Sequence, residues 1–538
     1  MRGADLLTQS LAAAGAHTVF TLSGNQIMPI FDACIDSGIR LVHVRHEAAA
    51  VYMADAWSQV SGEVGVALLT AAPGFANGLS SLYTARASES AVVLLSGDAP
   101  MFLDGRGAFQ ELKQTQVSAP LCKAAFRSSD ASQLDADLAR AIRTARSGRP
   151  GPVHLALPFD LLNADVASIP RSTAARFERQ KNDPDGATVA KMLEILSNAK
   201  RPLVLTGPAL NASRAGNMLT RLSQALDAPV VPMESPRGLR DPALGDFVRI
   251  LPEVDLVLSL GKRIDFSLGY GRPPAFAPEC RFMVIDPEPE ALTCAADLLD
   301  DSLIVSHQAD ADTAAEALVA MATDANEERG DWRSRVAAAI AARPEGAGDL
   351  SPSGRILPAA LCREIQAVLD DAEDPILICD GGEFGQWAQA CLSGPTRIIN
   401  GPGGAIGGGL CYAIAAKLNR PDATVVAVMG DGTVGFHLSE FETALRCSAP
   451  FIAVVGHDAR WNAEYQIQLR DYGHDRLIGC DLDDTRYDLA VAGLGGHGEN
   501  VTRVENVSGA LQRAIESGLP ACVNVTIEGL AAPSGSNH

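Results

Sequence analysis

Three doubly wound parallel-sheet domains of the α/β class are the fold that this 538-residue sequence predicts. Three observations lead there. Short apolar runs alternate with helix-length segments along most of the chain, the pattern of parallel strands joined by right-handed crossovers. The alternation lapses at 169–185 and at 342–355, where Pro, Arg, Gly and Ser displace the apolar period and mark linkers. The length also exceeds what a single hydrophobic core supports.

The elements follow in order. The first block, 1–168, opens with MRGADLLTQSLAAAGAHTVF, an amphipathic helix running into a strand rather than a signal peptide. Strands follow at LVHV, VGVALLT (64–70), AVVLLSG (91–97) and VHLALP (153–158), separated by Ala-rich helices. The second block, 186–325, has strands PLVLTG, APVVPM, VDLVLSLG and RFMVID, whose Asp286-Pro287 is an ordinary sheet terminus. The third block fills 356–538. No short-period repeat is visible, but blocks one and three are expected to be similar sheets facing one another.

Composition narrows the function. Apolar residues make up 47% and charged residues 20%, a globular balance. A net charge of −21 argues against nucleic acid and anionic membrane as partners. No apolar run reaches transmembrane length. The 11 cysteines are scattered without a CxxC pair, which fits reduced thiols in a cytoplasmic protein better than a zinc site or disulfide framework.

The strongest chemical signal lies at Val425–Asp458. An apolar strand, VVAVM, runs into Gly430-Asp431-Gly432-Thr433, and a second, FIAVV, ends at Gly456-His457-Asp458. A carboxylate thus closes each strand, at the edge where open parallel sheets bind ligands. The paired glycines let backbone approach a diphosphate, and the next helix offers it unpaired N–H groups. Two hard oxygen ligands together with phosphate oxygens suit Mg²⁺. This unit resembles the signature of thiamine-diphosphate (ThDP) enzymes. That family closes the motif with two asparagines, the second a metal ligand, where this chain has His457-Asp458. Asp431 and Asp458 are the expected metal ligands, with Asn462 the rival to Asp458. The resemblance adds the backbone carbonyl of Arg460 as a third ligand and Trp461 at the cofactor.

In VHVRHEAAAVYMADAWSQ, Glu47 stands where a strand turns into a helix, a position the helix dipole favours for any carboxylate. The segment also resembles the one that carries the family's activating glutamate. A carboxyl group there hydrogen-bonds the aminopyrimidine and favours the imino tautomer that deprotonates the thiazolium carbon. His46 reads as an orienting or packing residue and His43 as a core one. In the family the glutamate and the diphosphate site meet across a dimer interface, which implies a homodimer or homotetramer. The glycine-dense NGPGGAIGGG at Asn400 resembles the loop in which Gly404, Ala405 and Ile406 hold the aminopyrimidine, with Ile406 the wedge that bends the cofactor. CDGGEFGQW (379–387) resembles the other diphosphate loop, with Gly382, Glu383 and Phe384. The Glu383 side chain is expected to face away from the diphosphate.

Three loops of the first block supply the substrate side: Asn25 and Gln26 after the first strand, Asn77 on a tight turn, and Phe109 and Gln110 in DGRGAFQELKQ. The last resembles the branch containing acetolactate synthase, benzaldehyde lyase and 2-hydroxyacyl-CoA lyase. A glutamine can hydrogen-bond a developing alkoxide without titrating. The decarboxylase branch uses a histidine pair, and this chain has no adjacent histidines. In the second block Lys262, Arg263 and Arg272 are either contacts to a FAD or CoA phosphate or solvated charges beside a turn. The resemblance covers nearly the whole chain. It implies a ThDP- and Mg²⁺-dependent enzyme making or breaking a carbon–carbon bond next to the carbonyl of a small substrate. Acetolactate-synthase-like carboligation leads, and benzaldehyde-lyase-like or 2-hydroxyacyl-CoA/oxalyl-CoA lyase activity is the alternative. A non-catalytic ThDP-binding regulatory subunit is the reading of another class, and Glu47, Asp431 and Gln110 argue against it. FAD is possible without direct support.

Overall fold

The computed structural model describes residues 1–167, 173–322, 329–343, 348–399 and 403–533; the expected domain limits at 168, 325 and 538, and Asn400, lie outside them. In the first block, β1 (Thr18–Thr21), β2 (Arg40–His43), β3 (Gly65–Leu69), β4 (Val92–Asp98), β5 (Ala124–Arg127) and β6 (Val153–Pro158) form a parallel sheet in the order β2-β1-β3-β4-β6-β5. The central sheet contains β7 (Pro202–Thr206), β8 (Val230–Pro232), β9 (Leu256–Leu260), β10 (Arg281–Asp286) and β11 (Leu303–Gln308), ordered β11-β10-β9-β7-β8. The third contains β12 (Pro375–Cys379), β13 (Thr396–Ile399), β14 (Thr424–Gly430), β15 (Ile452–His457), β16 (His497–Val501) and β17 (Ala521–Thr526), ordered β13-β12-β14-β15-β17-β16. Blocks one and three therefore share one strand order, so they are similar sheets, as expected.

Inner strands such as β3, β4 and β6 are buried along their whole length. Both faces are covered, so they read as unbroken apolar runs rather than alternating ones. The edge strand β2 is covered less completely. That corrects one expectation: His43, at its end, is half-buried rather than a core residue, and its Nε2 accepts from the Ser23 N–H at 3.2 Å. Asn77 also differs from expectation. It ends the short helix Pro73–Asn77 instead of sitting in a tight turn.

The helix Glu47–Ser61 joins blocks one and three. One side covers its own sheet and the other packs along the helix Gly409–Asn419. Alanines 48, 49, 50, 54 and 56 on the first helix and 413, 415 and 416 on the second are buried, and such small side chains let helix axes approach closely. One apolar core runs without a break from the first block into the third. Within it, the Tyr412 hydroxyl donates to Asp55 Oδ2 at 2.8 Å, and the Tyr52 and Tyr412 rings meet edge to face. Burial pushes the Asp55 carboxyl up, opposed by its hydrogen bonds to Ser90, Gln59 and Tyr412. Among the described residues no helix is long and apolar enough to cross a membrane.

Removing the hydroxyl by Tyr412→Phe strips a buried carboxylate of one donor, a loss typically of about 1–3 kcal/mol. We expect a lowered urea midpoint; an unchanged midpoint would mean that this bond does not secure the contact between the blocks.

Candidate active site

The third sheet reverses its strand order between β12 and β14, and a crevice opens outside the carboxyl ends at such a point. A cavity of about 380 Å³ lies there. Its lining includes Gly382, Glu383 and Phe384 after β12, Gly404, Ala405 and Ile406 from the glycine-dense loop, and Gly430, Asp431, Gly432 and Thr433 at the end of β14. Asp458, Arg460, Trp461 and Asn462 after β15 complete the third-block wall, and Arg237 reaches in from the central block. Every third-block residue expected to touch the cofactor or the metal thus meets in one place.

Asp380, which the sequence reading passed over, organises this cradle. Its side chain is buried, and it accepts from the N–H groups of Gly381 at 2.6 Å, Gly407 at 3.1 Å and Gly409 at 2.6 Å. One carboxylate thereby ties the loop after β12 to the glycine-dense loop. Ile406 closes against Gly381, where a Cβ would come within 2.0 Å of its Cγ2. Glycine is required there by close approach. Thr433 Oγ1 donates to the Gly381 carbonyl at 3.1 Å, joining the GDG turn to the same loop. Glu383 lines the cavity, but its carboxylate is engaged by the Ala532 N–H and by Gln386 Nε2.

The acidic end of the cavity carries an unbalanced charge. Asp431 Oδ2 is buried without a hydrogen-bond partner, 3.1 Å from His457 Nδ1. His457 Nε2 lies 2.9 Å from Asp484 Oδ1. Burial pulls the His457 imidazolium down, but Asp431 and Asp484 outweigh it and raise it. Burial first, and the Asp431 charge second, push the Asp458 carboxyl up to about 7 against the pull of Arg460.

The first-block candidates stand apart, and among the described residues none from that block lines the cavity. Glu47 is largely buried at the start of its helix, and its Oε2 accepts from Asn77 Nδ2 at 2.9 Å. Its Oε1 lies beside Gly74, where a Cβ would stand 3.3 Å away. Gln26 is buried, and its Oε1 accepts from the Thr70 hydroxyl at 2.9 Å; Asn25 is exposed. Phe109 is 74% exposed, and Gln110 adopts a left-handed φ of 59°. The loop around them is held by Glu111, whose carboxylate accepts from the N–H groups of Gly105, Gly107 and Ala108 at 2.6, 3.0 and 3.2 Å. In the central block the three cations have protein partners: Lys262 with Ser267, Arg263 with Glu288, and Arg272 with the Leu298 carbonyl.

Comparison with known proteins decides the family. The N-terminal TPP binding domain of thiamine pyrophosphate enzymes matches residues 1–117, the central domain 189–298 and the C-terminal TPP binding domain 380–525. The chain belongs to the thiamine pyrophosphate enzyme family. An acetolactate synthase large subunit of Mycobacterium tuberculosis is 31% identical over 563 residues, spanning 100% of this chain and 98% of its own length. The human 2-hydroxyacyl-CoA lyase 2 is 30% identical over 98% of this chain and 90% of its own. The fold is shared with a thiamine diphosphate-dependent 4-hydroxybenzoylformate decarboxylase of Rhodococcus jostii, with a TM-score of 0.81 at 22% identity over 98% of this chain and 99% of that one. The protein is therefore a ThDP-dependent enzyme related to acetolactate synthase and 2-hydroxyacyl-CoA lyase.

The cavity fits that cofactor. Glycine backbone at 381 and 382 opens the helix Gly382–Cys391 toward it, which suits a diphosphate. The unpartnered Asp431 oxygen and the raised Asp458 carboxyl are what a divalent cation between them would relieve. Burying the Asp458 carboxylate beside Asp431 has a measurable cost without the cation. A carboxyl whose folded pKa is about 7 instead of 3.8 takes up a proton on folding, so stability falls as pH rises between those values. In the metal-free protein, Asp458→Asn should therefore raise the melting temperature increasingly from pH 4 to pH 7 and by a constant amount above. A gain that is the same at all pH values would mean that the Asp458 carboxyl is not raised in the folded protein.

Proposed function

We propose that this is a ThDP- and Mg²⁺-dependent enzyme that makes or breaks a carbon–carbon bond adjacent to a carbonyl, with acetolactate-synthase-like carboligation of 2-oxo acids as its reaction. The observation that carries the reading is the meeting of Asp380, Asp431 and Asp458, from three neighbouring strand ends, in one cavity. Residues 1–168, 186–325 and 356–538 serve as the pyrimidine-binding, central and diphosphate-binding domains. Asp431, Asp458 and the Arg460 carbonyl hold Mg²⁺. Asn462 is the weaker ligand candidate, since its Oδ1 already accepts from Gln466 Nε2 at 3.0 Å. Gly382, Glu383, Phe384, Gly430, Gly432 and Thr433 surround the diphosphate, chiefly through backbone. Gly404, Ala405 and Ile406 place the pyrimidine, and Trp461 packs on the GDG turn, where a Cβ on Gly432 would come within 2.7 Å of its ring.

Bound ThDP would supply an acidic carbon able to serve as a nucleophile toward a carbonyl. This chain's own residues supply the rest. Glu47, with Oε2 held by Asn77, hydrogen-bonds the cofactor's pyrimidine through Oε1. Gln110 donates to the alkoxide that develops on the substrate, and Gln26 and Phe109 shape its pocket. Because Glu47 lies outside its own chain's cavity, a second copy must supply it, so we propose a homodimer or a homotetramer built from such dimers. Phe102, Phe109 and Ile478, at 66%, 74% and 79% exposure, are apolar surface that such an assembly would cover. All 11 cysteines are unpaired, which suits a cytoplasmic enzyme.

The 30% likeness to 2-hydroxyacyl-CoA lyase 2 favours a second reading, cleavage of a 2-hydroxyacyl thioester. Substrate panels separate the two. We expect pyruvate to be converted to acetolactate, whereas cleavage of 2-hydroxyacyl-CoA without pyruvate turnover would establish the second reading. In either reaction Gln110→Ala should lower kcat by ~10²–10³-fold with ThDP affinity unchanged, the usual effect of losing one preorganised donor. An unaffected variant would take Gln110 out of the mechanism.

A further inference from the structure

A buried carboxylate outside the cavity ties the third block to the turn that carries Glu47. Glu440 begins the short helix Glu440–Arg446, on the same strand–helix unit as Asp431, and is fully buried. Its Oε1 accepts from the N–H of Arg45 at 2.9 Å and of His46 at 3.1 Å, while the Thr443 hydroxyl donates to its Oε2 at 2.6 Å. Burial pushes this carboxyl up, and those three donors hold it down.

The two amides directly precede Glu47. His46 caps the Glu47 helix, extended at φ −147° and ψ 140°, and its Nδ1 accepts from the Ala48 N–H at 3.2 Å. Amides ahead of a helix have no acceptor within it. Glu440 supplies one for both and thus fixes the direction from which the chain enters the helix. The clasp is reinforced on either side: Arg446 Nη2 donates to the His43 carbonyl at 2.5 Å, and Arg40 Nη2 to the Cys447 carbonyl at 3.2 Å.

We propose that Glu440 is a positioning residue, whose carboxylate pins the Arg45–His46 turn and so aims the Glu47 carboxyl at the cofactor. The inference rests on the reading of Glu47 as the activating acid. In the dimer proposed above, Glu440 would connect two active sites: it follows the GDG unit that holds one cofactor and aims the acid that serves the other. Its two partners lie 395 and 394 residues away in sequence, so the contact is tertiary and independent of local helix stability.

Two conservative variants test it, because each keeps a polar group at the buried site. Glu440→Gln retains an acceptor oxygen at the same reach, and Glu440→Asp withdraws the carboxylate by one methylene. Amide hydrogen exchange at Arg45 and His46 is measured in cofactor-free protein, and exchange of the C2 proton of bound ThDP in loaded protein. We expect Glu440→Gln to behave like the wild type in both. Glu440→Asp should speed amide exchange at both residues and slow C2-proton exchange by up to about 10²-fold, the effect of a displacement of about 1 Å. ThDP affinity and oligomeric state should not change. Unchanged amide exchange in Glu440→Asp overturns the proposal. Freed amides with wild-type C2-proton exchange reduce Glu440 to a staple between blocks and overturn it as well, as does lost ThDP affinity or a Glu440→Gln variant equally impaired. Glu47→Gln serves as the control. Wild-type C2-proton exchange there overturns the reading of Glu47 and the inference with it, whereas slow exchange in Glu47→Gln beside normal exchange in Glu440→Asp overturns the inference alone.

Discussion

The packing of the Glu47–Ser61 helix along the Gly409–Asn419 helix constrains everything else in this chain. Both helices are small-residue and apolar over most of their length, so each is buried except toward its C-terminal end, and the core they share leaves no seam between the first and third blocks. Glu47 stands at the first position of one helix, and the glycine-dense loop leads directly into the other. Docking them side by side therefore fixes the distance between Glu47 and the glycine-dense loop of the same chain. The result is a cavity that Glu47 does not line. The buried Asp55–Tyr412 hydrogen bond penalises any other register between the helices, since sliding would strip a buried carboxylate of one of its donors.

Around that contact, the chain uses carboxylates as backbone organisers. Asp380 gathers three amides from two loops of the cavity wall, Glu440 gathers two from the turn before Glu47, and Glu111 gathers three from the loop before Gln110. Charged acceptors form shorter and stronger hydrogen bonds than neutral ones. Asp380 and Glu111 each hold a glycine-rich segment, and Glu440 holds the extended backbone ahead of the Glu47 helix. Asp431 and Asp458 differ in degree: each accepts a single backbone N–H, from Gly432 at 2.9 Å and from Arg460, and the Asp431 charge helps push the Asp458 carboxyl up, a conflict that a cation would relieve.

What could be read in the sequence follows from this division. The GDG unit, the strand ends and the position of Glu47 were legible because each depends on local alternation of apolar strand and helix. That the first and third blocks form similar sheets was expected, but their strand orders came only from the structure. Asp380, Glu440 and Glu111 were not singled out. A carboxylate that accepts backbone N–H groups has no residue-type signature, and the partners of Glu440 are nearly four hundred residues away. His43 was misread as core because strand periodicity does not reveal which strand lies at an edge. Asn77 was misread as a turn residue because PGFANG carries turn-forming residues at both ends of what folds as one helical turn.

The central claim is that each active site is divided between two copies, with Glu47 from one and the Asp431 cradle from the other. Mixed dimers of Glu47→Gln and Asp431→Ala chains test it most directly. Each variant alone should be nearly inactive. A mixed dimer would carry one site with both lesions and one with neither, so purified heterodimers should recover about half of the wild-type kcat per dimer if such sites act independently. Heterodimers as inactive as either parent would place Glu47 and Asp431 in the site of a single chain and contradict the account.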